Sequence, residues 1–89
     1  MFHVRWKLTA LNELAALWMQ ADTALRARIT QAANTVDAGL RHDPYALSES
    51  RSGLKRIAFF LPLSVVFELD RKNHLVTVLH VNLVRSRKK

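Results

Sequence analysis

The sequence predicts a single α+β domain, β-α-α-β-β-β, in which an antiparallel sheet carries a helical hairpin on one face. Three observations support this fold class: residues 8–40 show helical periodicity, residues 54–84 alternate with a period of two, and 89 residues suffice for only one hydrophobic core. Because 49% of the residues are hydrophobic and only two are Gly and two Pro, we expect the whole of 1–89 to fold.

The first half of the chain predicts a short strand and two helices. Residues 2–6 alternate apolar and polar side chains, as in a half-buried strand. Thr9 can cap a first helix, and Asp22 a second one, which Gly39 can end in a left-handed conformation. The apolar stripes of the two helices are formed by Leu11, Leu14, Ala15 and Trp18 and by Leu25, Ile29, Ala32, Val36 and Leu40. Because so few residues separate the helices, they are expected to pack as an antiparallel hairpin.

Three strands are predicted in the second half. Residues 41–53 are polar and predict a connection, with Gly53 as a chain breaker. The strands are predicted at residues 54–60, 63–69 and 75–84. Leu61 and Pro62 separate the first two, and residues 70–73 suit a hairpin turn between the last two.

The alternation in these strands predicts which side chains face the helices. The expected core positions are Leu63, Val65, Phe67, Leu69, Leu75, Leu79, Val81 and Leu83, together with Trp6 and Trp18. We name the opposite side of the sheet the open face; its predicted residues are Ser64, Val66, Glu68, Val78, His80 and Asn82. No further element is expected to cover the open face, which makes it the predicted working surface unless a partner or a second copy packs there.

The charge of the chain is one-sided. Residues 1–50 carry five basic and five acidic side chains, whereas residues 51–89 carry nine basic and two acidic ones, which accounts for the net charge of +7. A cationic sheet with a basic tail at 85–89 is typical of a small protein that meets a polyanion. The candidate nucleic-acid-binding residues are Arg51, Arg85, Arg87, Lys88 and Lys89. The alternatives are that the tail only aids solubility and that Arg51 pairs with Glu49 or contacts a carbonyl of the connection.

Several classes of site are not expected. The chain has no Cys, and its four His are too scattered to indicate zinc, so we expect no metal. A Gly-rich phosphate loop and a nucleophile elbow are both missing, and no cofactor is expected. The apolar stretch 58–67 is too short to span a bilayer, so the sequence predicts a soluble cytoplasmic protein without a membrane partner.

The basic half of the chain could support cleavage of RNA, in which the 2′-hydroxyl of the RNA itself attacks the adjacent phosphate. That reaction needs a base, an acid and cations for the phosphorane. His80 is the candidate proton-transfer residue, and the alternative is a half-exposed strand histidine with no task. Glu68 could act as a base, but an ion pair with Lys55 or Arg56 is preferred. Lys55 and Arg56 are the candidate cations.

The order of these elements, with a basic end, resembles the RelE/ParE superfamily of bacterial toxins from type II toxin–antitoxin modules. The segments that carry the resemblance are Val4-Arg5-Trp6, residues 10–14, Asp43-Pro44, residues 48–51, residues 62–69 and residues 76–81. RelE-like toxins are ribonucleases that cut mRNA on the ribosome, and ParE-like toxins poison DNA gyrase without cleaving anything themselves. The resemblance therefore implies a toxin held silent by a small, acidic or amphipathic antitoxin, with ribosome-bound mRNA or gyrase as its target.

The resemblance leaves the choice of target open. Lys55 and Arg56 lie where RelE-like enzymes often carry basic residues, which favours the ribonuclease. Ser64 stands where those enzymes usually have Arg, and the segment beyond Val84 lacks the Tyr or His with which many of them close. These departures favour the alternative, a gyrase-binding toxin or an unpaired relative that has lost activity.

Overall fold

The computed structural model describes residues 1–46 and 48–84, which form two helices and a five-stranded sheet. The elements are β1 (His3–Trp6), α1 (Leu8–Gln20), α2 (Thr23–His42), β2 (Ser48–Ser52), β3 (Lys55–Phe60), β4 (Leu63–Asp70) and β5 (Leu75–Leu83). The strand order is β1-β5-β4-β3-β2, with β1 parallel to β5 and all other neighbours antiparallel. The α+β class is therefore confirmed, although the sheet is mixed and has one strand more than predicted.

The additional strand, β2, lies within the predicted polar connection. Its sequence is Ser-Glu-Ser-Arg-Ser, without the apolar alternation that marks a strand buried on one face. β2 pairs only with β3 and lies at the edge of the sheet, where Glu49 and Ser50 are exposed. Gly53 follows it with a φ of 57°, so the predicted breaker forms the turn between β2 and β3.

The helix ends agree with the sequence only in part. The Asp22 carboxylate accepts a hydrogen bond from the Leu25 N–H at 2.8 Å, which confirms the predicted cap of α2. Thr9 lies inside α1, which begins at Leu8, so the predicted cap of α1 is wrong. Gly39 does not end α2 either. The helix continues to His42, and the Arg41 carbonyl accepts a hydrogen bond from the Phe2 N–H at 2.9 Å, which ties the last turn to the start of β1.

A β-bulge in β5 shifts the predicted faces of that strand. Phe67 lies opposite Val78 and Val66 lies opposite His80, so Leu79 is an extra residue between them. Val78 is consequently buried in the core, and Leu79 is half-buried on the open face, the reverse of the prediction for both. Leu75 pairs with Asp70 and is likewise not in the core.

The core lies between the sheet and the helical hairpin. All the core residues that were predicted in β4 are buried. Of the apolar stripe predicted in α2, the buried residues are Ile29, Ala32, Val36 and Leu40. The fully buried residues of these and the other elements include Leu63, Val65, Phe67, Val76, Val78, Val81, Ile29, Val36, Leu40 and Ala10. Apolar burial on this side, at about 25 cal/mol per Å² of surface removed from water, is the main stabilising contribution to the fold.

The two tryptophans differ in burial. Trp6 packs against the core as predicted, and its indole N–H donates to Asp37 Oδ1 at 3.3 Å. Trp18, predicted in the core, is 42% exposed. It lies in the groove between the helices, where its indole N–H donates to Thr30 Oγ1 at 3.2 Å and the Arg26 guanidinium lies 4.5 Å from the ring centre.

Asp37 links α2 to β1, which predicts a stability effect in acid. Burial raises the pKa of Asp37, but hydrogen bonds from Arg41 and Trp6, with the charge of Arg41, outweigh it and lower the pKa below its usual value. The carboxylate thus stabilises the fold above the unfolded-state pKa of about 3.9, and this contribution is lost as the pH falls through the lower folded-state pKa.

We expect Asp37→Asn to reduce the free energy of unfolding at pH 7 by at most about 1 kcal/mol, because the side chain is 38% exposed. The difference from the unaltered protein should shrink at pH 2.5. Urea denaturation at both pH values measures it, and an equal loss at the two pH values would contradict the role of the charge.

Candidate functional site

The strand register places a row of polar side chains across the open face. Arg5 of β1 lies opposite Thr77 of β5, Thr77 opposite Glu68 of β4, and Glu68 opposite Lys55 of β3. Arg5, Glu68 and Lys55 are exposed, whereas Thr77 is buried. The open face therefore carries a cation at each end of a row that includes one carboxylate.

A shallow cleft of about 260 Å³ lies at the Lys55 end of this row. It is lined by Lys7, Thr9, Lys55, Glu68, Leu79 and His80. Three of the four predicted catalytic residues, Lys55, Glu68 and His80, are thus brought together. Two ammonium groups, a carboxylate and an imidazole in one cleft can bind a phosphate and transfer a proton.

Glu68 does not form the ion pair that the sequence suggested. Although Lys55 lies directly across from it, no ion pair within 4.0 Å joins Glu68 to Lys55 or Arg56 in the part of the chain that the structure describes. The Lys55 and Glu68 side chains both line the cleft instead. Each is consequently accessible to a ligand.

His80 contacts α1 through Glu13. Its Nδ1 atom lies 3.2 Å from Glu13 Oε2, and Glu13 Oε1 accepts a hydrogen bond from the Val81 N–H at 2.9 Å. The register of β1 along β5 ends at Val78, and Glu13 satisfies a backbone donor beyond that point. Sequence reasoning missed Glu13 because 67 positions separate it from His80 and only tertiary folding brings them together.

Arg56 lies away from the cleft. Adjacent residues of a strand point to opposite faces, so Arg56 and Lys55 are separated by the sheet. The Arg56 Nε–H donates to Ser48 Oγ at 2.7 Å, and its Nη2 donates to the Ser48 carbonyl at 3.0 Å. The guanidinium carbon also lies 5.1 Å from the centre of the Tyr45 ring. The structure therefore does not bring Arg56 together with the other three candidates.

The remaining predicted basic residues fall outside what the structure describes. Arg51 belongs to β2, but its side chain lies outside the described residues. The tail residues Arg85, Arg87, Lys88 and Lys89 also lie outside them.

Two cations of the open face, Arg5 and Lys7, were not predicted as site residues. Their alternation with Val4 and Trp6 already placed them on the polar side of β1. The sequence did not show which strand β1 pairs with. In the structure it forms a parallel pair with β5. This pairing places Lys7 in the cleft with His80.

Among residues 1–46 and 48–84, neither helix is long and apolar enough to cross a membrane. Within the same residues, no group of three or more His, Asp or Glu side chains is placed to hold a metal ion.

Comparison with solved structures defines the class of fold. A chain of the toxin–antitoxin complex RelBE2 from Mycobacterium tuberculosis superposes with a TM-score of 0.73 and 14% identity, over 92% of this chain and 90% of the other. The isolated RelE toxin of E. coli superposes with a TM-score of 0.64 and 14% identity, over 99% of this chain and 89% of the toxin.

An archaeal RelE–RelB complex from Pyrococcus horikoshii contains a chain with the same fold, at a TM-score of 0.58 and 11% identity, over 92% of this chain and 93% of that one. No protein-family model and no curated protein sequence matches the chain. The protein thus has the RelE fold, which confirms the fold that its order of elements predicted.

Proposed function

We propose that this protein is the toxin of a type II toxin–antitoxin module and a metal-independent endoribonuclease that cleaves ribosome-bound mRNA. One observation carries the proposal: Lys7, Lys55, Glu68 and His80 line a single cleft on the open face of a RelE fold. Fold similarity alone does not define an activity, whereas these side chains supply the groups that the reaction requires.

In the proposed reaction, His80 accepts the proton of an RNA 2′-hydroxyl. The 2′-oxygen then forms a bond to the adjacent phosphorus, and the bond from phosphorus to the 5′-oxygen breaks, which leaves a 2′,3′-cyclic phosphate. Lys7 and Lys55 neutralise the charge that develops on the phosphorane, and one of these ammonium groups protonates the departing 5′-oxygen. Glu68 is the alternative base, since its carboxylate lines the same cleft.

The other basic residues are proposed to hold RNA outside the cleft. Arg56 would contact phosphate from the opposite face of the sheet, beside Ser48 of β2, and Arg51 and the tail would extend this contact. An antitoxin with an acidic or amphipathic segment would neutralise the basic half of the chain. The similar chains from M. tuberculosis and P. horikoshii come from the toxin–antitoxin complex RelBE2 and from a RelE–RelB complex, which supports such a partner.

A non-enzymatic toxin that binds DNA gyrase is the second candidate, alongside a relative without activity. Phe59 is 60% exposed and Leu61 is 69% exposed, at the end of the sheet away from the cleft. Ser64, where RelE-like enzymes usually have Arg, lies opposite Phe59. Exposed apolar side chains beside a Ser rather than an Arg suit a protein partner better than a phosphate backbone.

Inducible expression of the chain without an antitoxin tests the proposal. We expect protein synthesis to stop while plasmid supercoiling is unchanged, with cuts in ribosome-bound mRNA mapped by primer extension. Loss of supercoiling with intact mRNA would instead support the gyrase inhibitor. Normal growth with intact mRNA and normal supercoiling would indicate an inactive relative.

The tail predicts a change in the salt dependence of RNA binding. Replacing Arg85, Arg87, Lys88 and Lys89 with Ser should leave the melting temperature nearly unchanged, because the sequence predicts a tail beyond the last strand and solvated charges contribute little to stability. It should weaken binding of single-stranded RNA and reduce the slope of log Kd against log salt by roughly two to three, at about 0.7 per phosphate contact. Fluorescence anisotropy across a salt series measures both, and an unchanged slope would show that the tail serves only solubility.

A further inference from the structure

The contact between Glu13 and His80 restricts the protonation of the imidazole. Glu13 spans from α1 to β5 and uses both carboxylate oxygens, Oε1 for the Val81 N–H at 2.9 Å and Oε2 for His80 Nδ1 at 3.2 Å. An ionised carboxylate only accepts hydrogen bonds, so Nδ1 must carry the proton that the two groups share. In a neutral imidazole, the lone pair is then on Nε2.

The position of Glu13 is fixed independently of His80. The Val81 N–H is part of the β5 backbone and holds Oε1 in place, which leaves Oε2 directed to the ring. Glu13 is also less exposed than His80, at 35% against 53% for the side chains. Among the described residues, Nε2 of His80 has no hydrogen-bond partner, whereas the His80 side chain lines the cleft with Lys7 and Lys55.

We infer that Glu13 is a positioning residue, which holds His80 in the Nδ1–H tautomer so that Nε2 is the base of the cleft. The inference rests on the proposed function for the identity of the proton donor, an RNA 2′-hydroxyl. When Nε2 takes that proton, the ring becomes an imidazolium, and the carboxylate beside it stabilises the added charge. Glu13 itself touches neither the RNA nor the reacting atoms.

Glu13→Gln tests the inference because the amide oxygen and the amide NH₂ of glutamine affect the two contacts of residue 13 differently. The amide oxygen can still accept from the Val81 N–H, which preserves the contact between α1 and β5. The amide NH₂ then faces Nδ1 of His80 and donates to it, which favours the opposite tautomer with the proton on Nε2. If Glu13 served only to join α1 to β5, this substitution would leave the tautomer of His80 unchanged.

The measurements are the imidazole ¹⁵N–¹H correlation spectrum at pH 8, single-turnover cleavage of ribosome-bound mRNA, and binding of single-stranded RNA. We expect the Nδ1–H tautomer in the unaltered protein and the Nε2–H tautomer in Glu13→Gln. Cleavage should fall roughly 10- to 100-fold while RNA binding is unchanged. Glu49→Gln is the matched control, since it removes the same charge from exposed β2 and should change neither tautomer nor rate.

The outcomes separate the inference from the proposed function. An Nε2–H tautomer in the unaltered protein overturns the inference even if Glu13→Gln fails to fold. A tautomer that switches without loss of cleavage also overturns it, while the endoribonuclease stands with another base. If the unaltered protein cleaves no mRNA, the proposed function fails, and the role of Glu13 in it fails as well.

Discussion

Replacing His80 with alanine is expected to lower the single-turnover rate of mRNA cleavage about a hundredfold or more, with little change in RNA affinity. His80 supplies the imidazole in a cleft that also contains the ammonium groups of Lys7 and Lys55. Removing a base that acts only in the chemical step affects the rate, whereas the cations that bind phosphate are retained. Rapid-quench cleavage of programmed ribosomes, combined with an RNA-binding assay, separates the two effects.

His42→Ala is the control for this prediction, because His42 is an exposed histidine at the end of α2 outside the cleft. It should leave cleavage unchanged. Glu68→Gln tests which residue of the cleft is the base. A small effect on the cleavage rate supports His80. A hundredfold loss in Glu68→Gln with full activity in His80→Ala would assign the base to Glu68 instead. Full activity in both variants would exclude proton transfer by either.

Replacing Phe67 with alanine is expected to lower the free energy of unfolding by about 3–5 kcal/mol. The Phe67 side chain is fully buried in the centre of the sheet, opposite Val78 and facing the helices. The substitution removes apolar contacts and leaves a cavity that the surrounding strands cannot close. Since domains of this size are typically stable by about 5–15 kcal/mol, the loss would remove much of the total. Urea denaturation followed by circular dichroism measures it.

Phe59→Ala is the matched control, with the same side chain removed from the open face, where Phe59 is 60% exposed. Its effect on stability should be below about 1 kcal/mol, because little apolar surface is returned to water. Equal losses in the two variants would contradict the assignment of the core to the helix-covered side.

The sequence by itself determined those features that local chemistry controls. Asp22 caps α2 because its carboxylate reaches a donor three residues away. β4 buries Leu63, Val65, Phe67 and Leu69 because alternation with a period of two holds along an unbroken strand. His80 and Glu68 were predictable as candidates because alternation placed both on the open face, and Lys55 because it is a cation in the basic half of the chain.

Tertiary structure alone decided the features that depend on neighbours distant in the chain. The bulge at Leu79 reverses the faces of Val78 and Leu79, and the parallel pairing of β1 with β5 places Lys7 in the cleft. Glu13 reaches His80 for a related reason: it satisfies a backbone N–H of β5 beyond the end of the β1 pairing. Strand pairing and unsatisfied backbone groups are properties of the assembled sheet, and no local pattern of residues encodes them.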